Sequence, residues 1–128
     1  MKKKITFILV VILVFFLIGI IKYINFKTLE DSKTKEIILK TNGGVPYVWN
    51  CEVDNEDIVK IKSQYKKNKS NKNIVGGPIE IHYVIESLKK GNTSIVCKYT
   101  SVVNNSNARI NEYLINVDDK LKIKIKKK

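Results

Sequence analysis

Residues 42–51 have the sequence NGGVPYVWNC, in which a turn leads directly into a run that carries the only tryptophan of the chain. Glycine and proline favour tight turns, because glycine tolerates unusual backbone angles and proline fixes φ. From Tyr47 onward, large or apolar side chains occupy every second position, as expected for a strand with one buried face. We therefore predict that Trp49 lies in a hydrophobic core and supports the turn that precedes it.

The same alternation recurs from Glu36 to the end of the chain. It covers residues 37–39, 47–53, 58–61, 81–85, 95–99, 110–117 and 121–125. Turn residues separate these runs, and we expect a polar loop at residues 63–73. Seven or eight short strands with turns between them are typical of an all-β sandwich. We place Trp49, Tyr83 and Tyr99 in its core.

The N-terminal segment is strongly apolar. Three lysines precede ITFILVVILVFFLIGII at residues 5–21, a run of 17 residues that just reaches the length needed to cross a hydrocarbon core. Lysines before such a run place the N-terminus on the cytoplasmic side and the remainder outside. We predict a transmembrane signal anchor at residues 1–25, a polar stalk at residues 26–35 and a β-sandwich domain at residues 36–128.

The fate of this anchor has two interpretations. The run ends in GIIKYINF, which lacks a small-residue cleavage site and favours an uncleaved, single-pass anchor in the cell membrane. A cleaved signal peptide would instead give a secreted protein. In both cases the domain is extracytoplasmic, and the composition, rich in Lys, Ile and Asn, is typical of a bacterial protein.

The net charge of +12 arises from 24 basic and 12 acidic residues, and all but one of the basic residues are lysine. An anionic partner is one interpretation of such a charge. Nucleic-acid surfaces usually also use arginine, whose planar fork matches phosphate and guanine. We therefore expect no nucleic-acid partner for this exported, lysine-rich domain. The lysine-rich residues 120–128 leave open the binding of an anionic membrane or wall surface.

The sequence does not contain a recognisable catalytic pattern. His82 is the only histidine, and Cys51 is the one nucleophile considered as its partner. Both residues lie within strand patterns, on inferred opposite faces, rather than at exposed turns. A zinc site needs three or four ligands, and the acidic residues at 52–57 do not have the spacing of a calcium loop. We expect neither enzyme activity nor a metal or other cofactor.

Three segments occur in an informative order. Residues 42–49, NGGVPYVW, keep the Asn, the aromatic residue and the Trp of the pattern N-P-T-T-G-[YF]-x-W. Residues 75–78, VGGP, take the place of a glycine-rich G-x-G-G loop, and residues 88–91, LKKG, match the turn L-K-x-G after the next strand. Over about residues 36–117 the chain thus resembles the chagasin family, small immunoglobulin-like inhibitors of papain-like cysteine proteases.

The resemblance implies an immunoglobulin-like β-sandwich that reversibly occludes the active-site cleft of a papain-like cysteine protease with three loops at one end. We expect it to act as a monomer. The protease-binding residues that it implies are Asn42, Gly43, Gly44, Val45, Pro46 and Tyr47 in the first loop, Val75, Gly76, Gly77 and Pro78 in the second, and Ser101, Val102, Asn104 and Arg109 in the third.

The chain also departs from the family pattern. Gly-Gly-Val-Pro replaces Pro-Thr-Thr-Gly in the first loop, and the R-P-W motif of the third loop is absent, because TSVVNNSNARINEY follows Tyr99. The missing R-P-W favours an alternative function, a non-inhibitory, membrane-anchored binding or structural module of the cell surface. A simpler interpretation of NGGVPY is a turn that only connects two strands. For Tyr47, two roles are equally consistent with the sequence: its ring covers the core, or it contacts a partner.

Cys51 and Cys97 are the only cysteines, and an even number of cysteines outside the cytoplasm permits a disulfide. In an immunoglobulin-like topology we expect these residues on strands of opposite sheets, both pointing inward, where many such domains have a sheet-to-sheet disulfide. The alternative is a pair of buried thiols that pack as small apolar side chains.

Overall fold

The computed structural model of the chain describes residues 1–68 and 76–128. Within them, one helix, α1 (Lys2–Ser32), is followed by seven strands. The strands are β1 (Thr34–Asn42), β2 (Tyr47–Val53), β3 (Val59–Asn68), β4 (Pro78–Ser87), β5 (Gly91–Ser101), β6 (Asn107–Val117) and β7 (Ile123–Lys127). The chain divides into two compact units, Met1–Asp31 and Ser32–Lys128.

The first unit is helical. Its segment Lys3–Lys27 is long and apolar enough to cross a membrane, as a membrane anchor and a signal sequence both are. The helix continues to Ser32, so it includes most of the segment 26–35 that the sequence suggested as a stalk. The first strand then begins at Thr34, with only one residue between helix and strand.

The second unit consists of two antiparallel sheets. Their strand orders are β1-β4-β3 and β2-β5-β6-β7. In immunoglobulin nomenclature these orders correspond to B-E-D and C-F-G, with β7 added beyond strand G. The predicted immunoglobulin-like β-sandwich of seven or eight strands is therefore confirmed, with seven strands in the described part of the chain.

The core lies between the two sheets and is built from alternate residues of each strand. On β4, for example, Ile81, Tyr83 and Ile85 are buried. The other buried apolar residues are Ile37, Leu39, Trp49, Cys51, Val59, Ile95, Cys97, Tyr113, Ile115, Val117 and Ile123. Tyr99 is half-buried and packs against this cluster.

The prediction of a polar loop at residues 63–73 is wrong for residues 63–68. Strand β3 continues to Asn68, and its residues pair with β4 from Ser63 opposite Val84 to Asn68 opposite Ile79. The sequence pattern hides this part of β3 because the strand lies at a sheet edge and its residues from Ser63 to Asn68 are exposed, so lysine and asparagine replace apolar side chains. Residues 69–73 lie outside the described residues.

Candidate functional site

Three loops connect the strands at one end of the sandwich. Loop 1 (residues 43–46) joins β1 to β2, and loop 3 (residues 102–106) joins β5 to β6. Between β3 and β4 the structure describes residues 76 and 77, which we call loop 2. We call this part of the sandwich the loop end.

Antiparallel strand pairing places the three loops together. In one sheet Asn42 of β1 lies opposite Pro78 of β4, and in the other sheet Tyr47 of β2 lies opposite Ser101 of β5. Loop 1 crosses from the first sheet to the second between these two pairs. It is therefore the middle loop of the three, with loop 2 on one side and loop 3 on the other.

Loops 1 and 2 pack backbone against backbone. The amide of Gly43 donates a hydrogen bond to the carbonyl of Gly77 at 3.1 Å. A Cβ atom at Gly44 would lie 3.5 Å from Gly76 Cα, and one at Gly43 would lie 3.0 Å from Ile79 Cδ1. Gly76 has a φ of 85°, which glycine adopts without a Cβ penalty. The glycines of both loops thus permit an approach that larger side chains would prevent.

Loop 3 is bonded to the other side of loop 1. The amide of Val102 donates to the carbonyl of Pro46 at 2.9 Å, which extends the pairing of β2 and β5 by one step. Loop 3 is also closed on itself, because the amide of Ser101 donates to Ser106 O at 2.9 Å and the amide of Asn105 donates to Ser101 O at 3.0 Å. Loop 1 is therefore held by hydrogen bonds on both flanks.

Three aromatic rings support loop 1 from below. The ring of Tyr99 stacks on that of Tyr47, with centroids 5.1 Å apart, and contacts that of Trp49, with centroids 4.9 Å apart. The indole NH of Trp49 donates to Lys40 O at 3.0 Å, and the hydroxyls of Tyr99 and Thr41 are hydrogen-bonded at 2.7 Å. These bonds tie β2 and β5 to β1 across the two sheets, directly beneath loop 1.

Below the aromatic rings, Cys51 and Cys97 form a disulfide. The two cysteines lie directly opposite each other on β2 and β5, with Cα atoms 4.0 Å apart. The expectation that this bridge joins the two sheets is therefore wrong, since both strands belong to one sheet. In immunoglobulin nomenclature β2 is strand C, which neighbours strand F, whereas a sheet-to-sheet bridge needs a cysteine on strand B.

Most of the residues that the sequence suggested for partner binding are exposed at the loop end. They are Asn42, Gly43, Gly44, Val45, Pro46, Gly76, Pro78, Val102 and Asn104. Gly77 is half-buried and bonded to loop 1, and Tyr47 is half-buried against Tyr99. Ser101 is buried, and its hydroxyl accepts a hydrogen bond from the amide of Val103 at 3.2 Å. Val75 lies outside the described residues.

Arg109 is part of strand β6 and not of loop 3. It lies opposite Tyr99 on β5, where it borders a cavity of about 390 Å³ at the loop end. The cavity is lined by Lys40, Thr41, Asn42, Val45, Pro78, Ile79, Glu80, Tyr99 and Arg109. Lys40 and Arg109 are basic and Glu80 is acidic, so charged side chains of both signs line this hollow beside loop 1.

Sequence reasoning missed Val103. This side chain is 80% exposed at the tip of loop 3, more than that of its neighbour Val102, which is 60% exposed. The sequence signal for this exposed pair is two adjacent valines directly before the polar residues 104–106. The exposed apolar pair follows from the loop geometry and not from the strand pattern.

His82 and Cys51 do not form a catalytic pair, because they lie on different sheets and Cys51 is bonded to Cys97. His82 Nδ1 donates to Glu36 Oε2 at 3.0 Å, and Tyr65 donates to Glu36 Oε1 at 2.8 Å. These two bonds hold the pKa of the Glu36 carboxyl below its ordinary value. Within residues 1–68 and 76–128, no group of three His, Cys, Asp or Glu residues is arranged to hold a metal ion.

The chain resembles known proteins both in sequence and in fold. The sequence model of the chagasin family peptidase inhibitors (I42) matches residues 28–117. The crystal structure of a cysteine protease inhibitor from Entamoeba histolytica resembles the chain with a TM-score of 0.57 and 24% sequence identity, over 66% of this chain and 78% of that one. At this identity the likeness shows the fold. No curated protein matches the chain.

Proposed function

The chain belongs to the chagasin family of peptidase inhibitors, and we propose that it reversibly inhibits a papain-like cysteine protease by occluding the active-site cleft with loops 1, 2 and 3. The structural neighbour from Entamoeba histolytica is itself a cysteine protease inhibitor. In this proposal the chain acts as a monomer, is not an enzyme and needs no cofactor.

The observation that carries the proposal is the double support of loop 1. The amide of Gly43 is bonded to loop 2, and the carbonyl of Pro46 is bonded to loop 3. A loop that is held on both flanks before binding loses little conformational entropy when it enters a cleft. Loop 1 is thus preorganised as a wedge.

The composition of loop 1 suits a narrow cleft. Gly43 and Gly44 have no side chains, so the backbone of a protease can approach their backbone closely. Pro46 fixes one φ angle and has no amide to donate. A stiff segment of this kind resists the extended conformation that a protease needs in order to cleave it, which favours occlusion over hydrolysis.

Strand β1 begins at the end of the sandwich opposite the loop end. Thr34, the first residue of β1, lies opposite Glu86, whereas Asn42 at the loop end lies opposite Pro78. The chain therefore joins the sandwich at the end away from the loops, where Ser87 N donates to Lys33 O at 2.9 Å. This connection fits a single-pass anchor in the cell membrane with an extracytoplasmic inhibitory domain, or a secreted domain if the anchor is cleaved.

The Cys51–Cys97 disulfide supports an extracytoplasmic position, because disulfides persist in oxidising compartments.

The absence of R-P-W from loop 3 favours the second candidate function, a non-inhibitory, membrane-anchored binding or structural module of the cell surface. The two candidates differ in whether loop 1 enters a protease cleft.

Inhibition kinetics distinguish the two candidates. The full-length chain in detergent micelles is titrated against papain and a lysosomal-type relative, with hydrolysis of a small fluorogenic peptide as the signal. We expect stoichiometric inhibition that reverses on dilution. The double substitution Gly43→Val/Gly44→Val should abolish it, because the added side chains would meet Ile79 and Gly76 and displace loop 1.

The matched control is Leu88→Ser, which changes an exposed apolar residue near the opposite end of the sandwich and should leave inhibition intact. Melting curves monitored by Trp49 fluorescence verify that each variant is folded. A folded wild-type chain that does not inhibit either protease at micromolar concentration would favour the non-inhibitory module.

A further inference from the structure

We propose that Val102 and Val103 of loop 3 form an apolar knob that selects proteases with an apolar hollow beside the active-site cleft. This inference rests on the proposed inhibitory function. It specifies that the target protease has an apolar surface where loop 3 contacts it.

The knob exposes apolar surface at the tip of the domain. The side chain of Val103 is 80% exposed and that of Val102 is 60% exposed. Single exposed apolar residues on strand faces are ordinary in soluble domains. Two adjacent branched side chains at a loop tip are a larger apolar surface, and burying it against a partner is favourable in proportion to its area.

The valines are held in place before any partner binds. Ser101 N donates to Ser106 O, and Val103 N donates to Ser101 Oγ at 3.2 Å. Asn105 has a φ of 54°, a left-handed conformation that asparagine tolerates better than most residues. Ser106 N and Oγ both donate to Asn104 Oδ1. A tip fixed in this way has little conformational entropy to lose on binding.

The knob is coupled to loop 1 and bordered by polar groups. The hydrogen bond from Val102 N to Pro46 O joins loop 3 to loop 1. When loop 1 occupies a cleft, the knob therefore faces the protein surface next to that cleft. Exposed Asn104, Asn105 and Ser106 follow the valines in sequence and supply a polar rim, which is the usual anatomy of an interface.

The test compares inhibition constants across a panel of papain-like proteases whose structures differ in the polarity of the surface beside the cleft. The full-length chain in detergent micelles is assayed as wild type and as Val102→Asn/Val103→Asn. The control variant is Leu88→Asn/Leu114→Asn, which removes two exposed apolar side chains that lie away from the loop end.

We expect the Val102→Asn/Val103→Asn variant to raise Ki by about 10-fold or more for the proteases with an apolar hollow, from the apolar area lost to the interface. Proteases with a polar surface there should change by less than about 3-fold, as should every protease with the control variant. Because the contact is apolar, the difference in Ki should persist between about 0.05 and 0.5 M salt.

Two results would overturn the knob while leaving the inhibitory function in place. One is an unchanged Ki of the Val102→Asn/Val103→Asn variant for every protease that the wild type inhibits. The other is an equal rise in Ki for all of them, because the knob would then not distinguish between proteases. If the wild type inhibits no protease of the panel, the inhibitory function and the knob fail together.

Discussion

Gly76 is the residue at which loop 2 depends most on glycine. Its φ is 85°, and its backbone approaches that of Gly44 closely, since a Cβ atom at Gly76 would lie 3.8 Å from Gly44 Cα. The space would admit a methyl group, so the constraint at Gly76 is its backbone conformation. Gly44 presents the opposite case, because its φ is ordinary and a Cβ atom there would make a normal contact at 3.5 Å.

This contrast predicts the effect of three substitutions on the free energy of unfolding. Gly76→Ala should lower it by about 1–2 kcal/mol, because a left-handed conformation strains an L-residue with a Cβ atom. Gly76→Asn should lower it less, since asparagine tolerates that conformation. Gly44→Ala serves as the control and should change it by less than about 0.5 kcal/mol. Urea unfolding measures all three, and equal stabilities of the two Gly76 variants would contradict the argument.

The hydrogen bonds of Glu36 predict that the sandwich becomes less stable in acid. The hydrogen bond from His82, and then that from Tyr65, lower the pKa of the Glu36 carboxyl below its ordinary value of 4.5. A carboxyl whose pKa is lower in the folded state stabilises the fold above its unfolded pKa, and this contribution is lost as pH falls through the folded pKa. The loss should therefore begin near pH 4.5 and continue below it.

Urea unfolding between about pH 6 and pH 3 tests this acid sensitivity. Glu36→Gln should flatten the decline in unfolding free energy, and Tyr65→Phe should flatten it partly, because the phenyl ring keeps the stacking on His82 and loses only the hydroxyl donor. The effect should be small, since the Glu36 side chain is 40% exposed and water screens its interactions. A decline as steep as that of the wild type in Glu36→Gln would refute the role of this carboxyl.

At the scale of elements, β2 and β5 form the support of the loop end. Two successive inward pairs join them, Trp49 opposite Tyr99 and Cys51 opposite Cys97. The aromatic pair lies next to loop 1, and the disulfide lies one step further along the sheet. Among the described strands β2 lies at the edge of its sheet and pairs with β5, so these two side-chain pairs reinforce the backbone pairing that attaches it.

The disulfide should contribute substantially to the stability of the second unit. Its cysteines are 46 residues apart in sequence, and closing a loop of that size in the unfolded chain corresponds to about 4 kcal/mol. Replacement of both residues, Cys51→Ala/Cys97→Ala, should lower the melting temperature markedly. A thiol reductant should lower that of the wild type and leave the double variant unchanged. Identical melting of the wild type with and without reductant would contradict this prediction.

The elements also show what the sequence pattern can and cannot predict. Strand β2 was predictable because Tyr47, Trp49 and Cys51 alternate with polar or exposed residues. The second half of β3 was not, because an exposed edge strand has no apolar face to mark it. The bridging of Cys51 and Cys97 within one sheet was also beyond the pattern, since alternation gives the face of a residue and not the neighbour of its strand.

At the scale of the whole second unit, both sheets contribute residues to the loop end. The loop end was predictable in outline, because the order of the motifs resembled a known family. The contacts that make it a unit were not, since the bonds from Gly43 to Gly77 and from Val102 to Pro46 join backbone atoms that are distant in sequence. The exposed tip at Val103 depends in the same way on how loop 3 closes on itself.

The most direct test of the account is the accessibility of the catalytic cysteine of papain in the presence of the full-length chain. Alkylation of that cysteine by iodoacetamide reports whether the cleft is physically covered. We expect a saturating amount of the wild-type chain to protect the cysteine. After dilution, a sample without iodoacetamide should regain activity, and a sample with iodoacetamide should be alkylated at the rate of free papain. Alkylation at the rate of free papain in a complex shown to be saturated would contradict occlusion by loop 1, because the chain would then bind outside the cleft.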